Sequence, residues 1–114
     1  MSRSDPDKPT SKKAISCPVE TTLGIIGGRW KVLVLHELLG GVRRFNELDR
    51  KLPGISNRTL SRQLRELEAD GVVHRKVYRQ VPPKVEYRLT ELGESLEPIL
   101  LAMHDWGASY DARG

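Results

Sequence analysis

Arg58, Arg62 and Arg65 recur at intervals of four and three residues in the stretch SNRTLSRQLRELEADG, residues 56–71, with Ser61 beside them. At about 100° per residue they share one side of a helix, and Leu60, Leu64 and Leu67 share the other. Arginine and serine hydrogen-bond base edges and phosphates, and a guanidinium can hold guanine O6 and N7 through two parallel bonds. The order of charges is unusual: the cations come first, and Glu66, Glu68 and Asp70 come last. A helix dipole favours the reverse, by a few tenths up to about 1 kcal/mol for each exposed charge. A polyanion at the electropositive end gives that order a reason. The plain alternative is an ordinary solvated face.

The rest of the chain must position these residues. Cys17-Pro18-Val19-Glu20 opens a first helix, with proline at a favoured first position and an acid in the first turn, and Val19, Leu23 and Ile26 form its stripe. After Gly27-Gly28, residues Trp30 to Leu39 are apolar nearly all round, which predicts a central, buried helix. Gly40-Gly41 stops it. Phe45, Leu48 and Leu52 mark a third helix ended by Pro53-Gly54, and Ser56 is placed to cap the fourth across a tight turn. Gly71 ends the fourth helix in the left-handed geometry that glycine adopts cheaply.

Val72 to Arg79 then predicts a strand. Lys84 to Leu89 alternates, with Val85, Tyr87 and Leu89 on one face and Lys84, Glu86 and Arg88 on the other, predicting an antiparallel return. Thr90 is placed to cap a long last helix carrying Leu92, Leu96, Ile99, Met103, Trp106 and Tyr110, bent at Pro98. The expected class is α+β, mostly α: a winged helix-turn-helix with a two-stranded β-hairpin wing and a long C-terminal helix.

In helix-turn-helix proteins the N-terminal part of the second helix enters the major groove of double-stranded DNA. The segment from Ile55 to Lys84 holds seven basic residues against three acids, an excess equal to the chain's whole net charge of +4. The positive charge therefore resides in the helix and hairpin that a winged helix presents to DNA. Arg79, Gln80 and Lys84 flank the hairpin tip, within reach of a phosphate or minor groove, and Pro82-Pro83 stiffens it. Arg43 and Arg44 precede the helix that crosses the backbone in such motifs. The candidate DNA-contacting set is Arg43, Arg44, Ser56, Asn57, Arg58, Ser61, Arg62, Arg65, Arg79 and Lys84. For the tip residues and for Arg43 and Arg44, solvated surface is an equal alternative.

The 114 residues suit one domain, expected over residues 17–110 behind a flexible tail at residues 1–16 that is too polar to offset its own ordering. A single cysteine and an N-terminus without the apolar stretch of a signal peptide predict a cytoplasmic protein. No apolar run approaches the roughly 20 residues that cross a bilayer, so no membrane association is expected.

An enzyme is unlike this pattern. His36, His74 and His104 are scattered, no nucleophile elbow or metal-ligand spacing occurs, and Gly24, Gly27 and Gly28 form no dinucleotide fingerprint. No catalytic residue, metal or cofactor is expected. A second alternative is a winged helix that docks proteins without reading DNA sequence.

Residues 17–107 resemble the HxlR-type winged-helix transcription regulators of bacteria and archaea, within the MarR-like superfamily. The matching motifs are Cys17-Pro18, Gly27-Gly28-Arg29-Trp30, Arg44-Phe45 with Glu47-Leu48, Pro53-Gly54-Ile55-Ser56, Leu67-Glu68 with Asp70-Gly71, Val85-Glu86-Tyr87 with Leu89-Thr90, and Trp106. The resemblance implies a DNA-binding homodimer joined through the first and last helices, with Leu23, Leu96, Ile99, Met103, Trp106 and Tyr110 as candidate interface residues and a pseudo-palindromic operator as partner. It also implies, for some members, a redox or electrophile sensor. Cys17, beside a helix N-terminus that favours thiolate, is the candidate here, with a small electrophile or oxidant as its partner. A small buried residue or an N-cap is the competing role for that thiol.

Overall fold

The computed structural model describes residues 17–114, so the expected tail at residues 1–16 lies outside the described residues. The chain forms α1 (Pro18–Ile26), α2 (Trp30–Leu38), β1 (Arg43–Arg44), α3 (Phe45–Lys51), α4 (Asn57–Ala69), β2 (Val73–Tyr78), β3 (Lys84–Leu89), α5 (Glu91–Glu94) and α6 (Glu97–Ala112). α2 packs against α1, α3, α4, α6 and β3, the central place its apolar composition predicts. Val34, Leu35 and Leu38 face the core, while Leu33 reaches the surface, so the burial of α2 is not complete all round.

One core joins the elements that carry the arginine row. Leu60, Leu64 and Leu67 of α4 are buried together with Leu48 of α3, Val72 just before β2, Val73 at its start, and Leu89 of β3. Burying a leucine side chain stabilises by about 1.5–3 kcal/mol, so the apolar face of α4 fixes by default which face looks outward.

The sheet has three strands, not two. β2 and β3 form the expected antiparallel hairpin, with Lys76 opposite Glu86 and Tyr78 opposite Lys84. The short β1 then adds to the other edge of β3, pairing Arg43 with Tyr87 and Arg44 with Glu86. Two residues show no alternation, so only the free edge of β3 reveals β1 as a strand.

The last helix also departs from expectation. Thr90 does cap a helix, accepting from the Gly93 N–H at 3.0 Å and donating to the Gly71 carbonyl at 2.6 Å. That helix is the single turn α5, and α6 begins only at Glu97. Pro98 therefore does not bend a continuous helix. It stands in the first turn of α6, where its missing N–H would have no helical partner, whereas in a continuous helix its ring would collide with the carbonyl of Glu94. α5 is pressed so closely onto the sheet that a Cβ at Gly93 would overlap the Val72 carbonyl.

Candidate nucleic-acid interface

The turn between α3 and α4 passes through Gly54 at φ +97° and delivers Ser56 to the end of α4. The Ser56 hydroxyl accepts from the Thr59 N–H at 3.1 Å and donates to Thr59 Oγ1 at 3.0 Å, so it is engaged as the helix cap. Beyond it, Asn57, Arg58, Arg62 and Arg65 are exposed and Ser61 is half-buried. No described residue forms an ion pair with any of the three guanidinium groups. They stand outward on a helix whose opposite side is closed by leucine.

The acidic end of α4 is partly accounted for by a bond that the sequence did not announce. Glu66 Oε1 lies 2.8 Å from Lys31 Nζ on α2. The hydrogen bond and charge of Lys31 hold the Glu66 carboxyl below its ordinary value against the opposing effect of desolvation, with smaller help from Arg62 and Arg65. Lys31 thus moors α4 to the central helix at the end away from Arg58.

The hairpin is braced near its tip. Two ammonium groups lie over the Tyr78 ring, Lys76 Nζ at 4.8 Å and Lys84 Nζ at 4.7 Å from its centroid, and the Tyr78 hydroxyl donates to Glu86 Oε1 at 2.9 Å. Lys84 also reaches Glu86 Oε2 at 3.3 Å. The Tyr78 hydrogen bond is the main cause that lowers the Glu86 carboxyl from its ordinary value, with Lys84 and Arg44 adding to it. Lys84 is therefore half-buried and held by its own sheet, while Arg79 is exposed. Lys76 and Tyr78 were not singled out from the sequence. Strand alternation places Lys84 with Glu86, but only the register reveals Tyr78 opposite them.

Arg43 and Arg44 are separated by the pleat of β1. Arg43 is half-buried and donates from Nη1 to the Val42 carbonyl at 3.2 Å, whereas Arg44 is exposed and stands opposite Glu86. The Arg44 backbone N–H donates to Glu47 Oε1 at 2.7 Å, closing the first turn of α3.

Other exposed side chains are apolar. Leu23 on α1 and Ile99, Met103, Trp106 and Tyr110 on α6 are exposed, and the Trp106 and Tyr110 rings stack at 5.2 Å between centroids. Leu96 differs from this group in being half-buried against the chain's own core. Cys17 is the N-cap residue of α1, exposed and without a side-chain capping bond.

The family described as HxlR-like helix-turn-helix matches residues 25–114. This chain belongs to the HxlR-like family. It is 61% identical over 97 residues, 85% of this chain and 76% of the relative, to the uncharacterized HTH-type transcriptional regulator YdeP of Bacillus subtilis strain 168. The structure is similar to the redox regulator HypR in its oxidized form, at 60% identity and a TM-score of 0.79 over 82% of this chain and 96% of that one. It is also similar to the reduced form of the transcriptional regulator YodB from B. subtilis, at 36% identity and a TM-score of 0.73 over 88% of this chain and 99% of that one. This HxlR-like protein is accordingly a transcriptional regulator of helix-turn-helix type, and its relatives are regulators rather than enzymes. No helix among the described residues is long and apolar enough to cross a membrane.

Proposed function

We propose that the protein binds DNA sequence-specifically as a homodimer, with the N-terminal half of α4 in the major groove and the β2–β3 hairpin on the flanking backbone or minor groove. The observation that carries this reading is the row of Arg58, Arg62 and Arg65, exposed at the electropositive end of a helix whose other face is buried. Arg62, midway along the row, is assigned to a base edge. Arg79 and Arg44 are assigned to phosphates, where they position the protein without reading sequence. Lys84 serves mainly through the brace on Tyr78 and Glu86.

The apolar surface of α1 and α6 supports the homodimer, because a second copy is the partner that would cover Trp106, Tyr110, Met103 and Ile99 with like surface. A two-fold dimer places its two α4 helices on a pseudo-palindromic operator with half-sites about one helical turn apart. Cys17 is assigned the redox- or electrophile-responsive role. Its exposure at the start of α1 leaves the sulfur open to an oxidant or electrophile, and the HypR and YodB likenesses agree with that role. With one cysteine per chain, a disulfide requires the partner protomer's Cys17 or a small thiol.

The test is selection of bound fragments from genomic DNA, followed by footprinting and a salt titration, with and without oxidant. The expected result is a palindromic footprint and an affinity that falls with salt at a log–log slope of about −0.9 for each phosphate neutralised. A flat salt dependence overturns the DNA reading in favour of protein docking. Oxidant sensitivity that survives Cys17→Ser removes the sensor role.

A further inference from the structure

The hairpin tip is apolar where its flanks are cationic. Val81 is 99% exposed, the most exposed large apolar side chain among the described residues, and Pro82 and Pro83 beside it are exposed as well. A side chain so exposed contributes no packing to the fold. Neither proline has an N–H, so the tip is poor in donors for phosphate oxygens. Its two sides are different. Arg79 precedes the tip and Lys84 follows it, and the Tyr78 ring in contact with Lys76 and Lys84, with its hydroxyl on Glu86, ties the two strands together just behind. The brace fixes the direction in which the tip projects.

The complement of this shape is a narrow slot with apolar walls and anionic rims. The DNA minor groove is such a slot, about 6 Å wide and about 7.5 Å deep, walled by sugars and base edges between two phosphate rails. Apolar side chains, proline among them, are known to wedge into it. We infer that Val81 with Pro82 enters the minor groove next to the α4 site, with Arg79 and the braced Lys84 against its rims. The inference rests on the proposed DNA-binding function and adds a second, hydrogen-bond-free readout to it. A valine in the groove floor meets the exocyclic 2-amino group of guanine as an obstruction, so base pairs lacking that group are preferred at the flank although no side chain bonds to them.

The experiment uses the full chain and a duplex selected from a random-sequence pool by the wild-type protein, with flanking A·T pairs replaced by G·C or by inosine·C. Inosine·C keeps the G·C pattern of the major groove but lacks the minor-groove amino group. Wild type is expected to bind the A·T and inosine·C duplexes alike and the G·C duplex more weakly. Val81→Ser is expected to bind the A·T duplex about tenfold more weakly, with an unchanged salt slope and no remaining discrimination among the three. Its melting temperature should equal that of wild type, since the side chain touches nothing. Val81→Ile should keep the flank preference. Val81→Ser binding within twofold of wild type, or wild type treating G·C and inosine·C flanks alike, overturns the inference while leaving the α4 contacts standing. Recovery of no duplex by wild type overturns the DNA-binding reading itself.

Discussion

Helices α4 and α6 have similar lengths, 13 and 16 residues, and both carry large apolar side chains at intervals of three or four. They use those stripes in opposite ways. α4 buries Leu60, Leu64 and Leu67 completely and turns arginine to solvent. α6 buries only Leu100 and leaves Ile99, Met103, Trp106 and Tyr110 outside. The stripe of α4 is consumed within the protomer, so what it offers a partner is charge. The stripe of α6 remains unspent, so what it offers is apolar area. One chain thus turns a charged face outward on one helix and an apolar face outward on a similar one, and amphipathic periodicity alone does not say which is which.

The contrast can be broken most forcefully on α4. Leu64→Ala should destabilise the protomer by about 2–5 kcal/mol, seen as a lower urea midpoint with unchanged slope, because its site is closed on all sides. Loss of less than that range would mean α4 is not anchored as described. On α6 the same kind of truncation should act between molecules. Trp106→Ala is expected to weaken dimerisation by about 2 kcal/mol or more in sedimentation equilibrium, with little change in protomer unfolding at low concentration. If it lowers protomer stability instead, α6 belongs to the protomer's core and the contrast fails.

The charged half of the contrast is sharpened by Arg62→Ala, expected to relax preference at one base pair by about 1–3 kcal/mol in competition binding against single-base operator variants. Uniform weakening across all variants makes Arg62 a phosphate contact. The smallest effect concerns the mooring of α4. Because Lys31 lowers the Glu66 carboxyl, the stabilisation it gives is fully present above the ordinary carboxylate value near 4.5 and is lost as pH falls through the lower folded value. Both partners retain some exposure, so the effect is modest. Urea midpoints measured from neutral pH down to about pH 3 should fall less steeply for Glu66→Gln than for wild type below roughly pH 4.5. Parallel curves would show that the Lys31 bond does not hold in solution.

Much of the architecture is legible in the sequence because it is local. The Ser56 cap, the Gly71 stop at φ +80° and the alternation of Lys84 to Leu89 each depend on neighbours a few residues away. The arginine row is legible for the same reason: helical spacing and three leucines fix both faces of α4 at once. What escaped depends on distant partners. β1 is a strand only because β3 offers an edge. The expected bend at Pro98 became a break because a second short helix packs Gly93 onto Val72 and lets the chain restart at Glu97. The tie from Glu66 to Lys31 spans two helices and leaves no periodic trace.

The amino-acid order by itself determined the first four helices, the β2–β3 hairpin, the helix-turn-helix and the outward row of guanidinium groups, since short-range backbone geometry and hydrophobic period suffice for these. Tertiary structure alone decided that the stripe of α6 stays uncovered, that Lys84 is braced against Tyr78 and Glu86, and that Val81 projects from a fixed tip. Each of those depends on which surfaces the rest of the fold has already filled, and no local pattern records that.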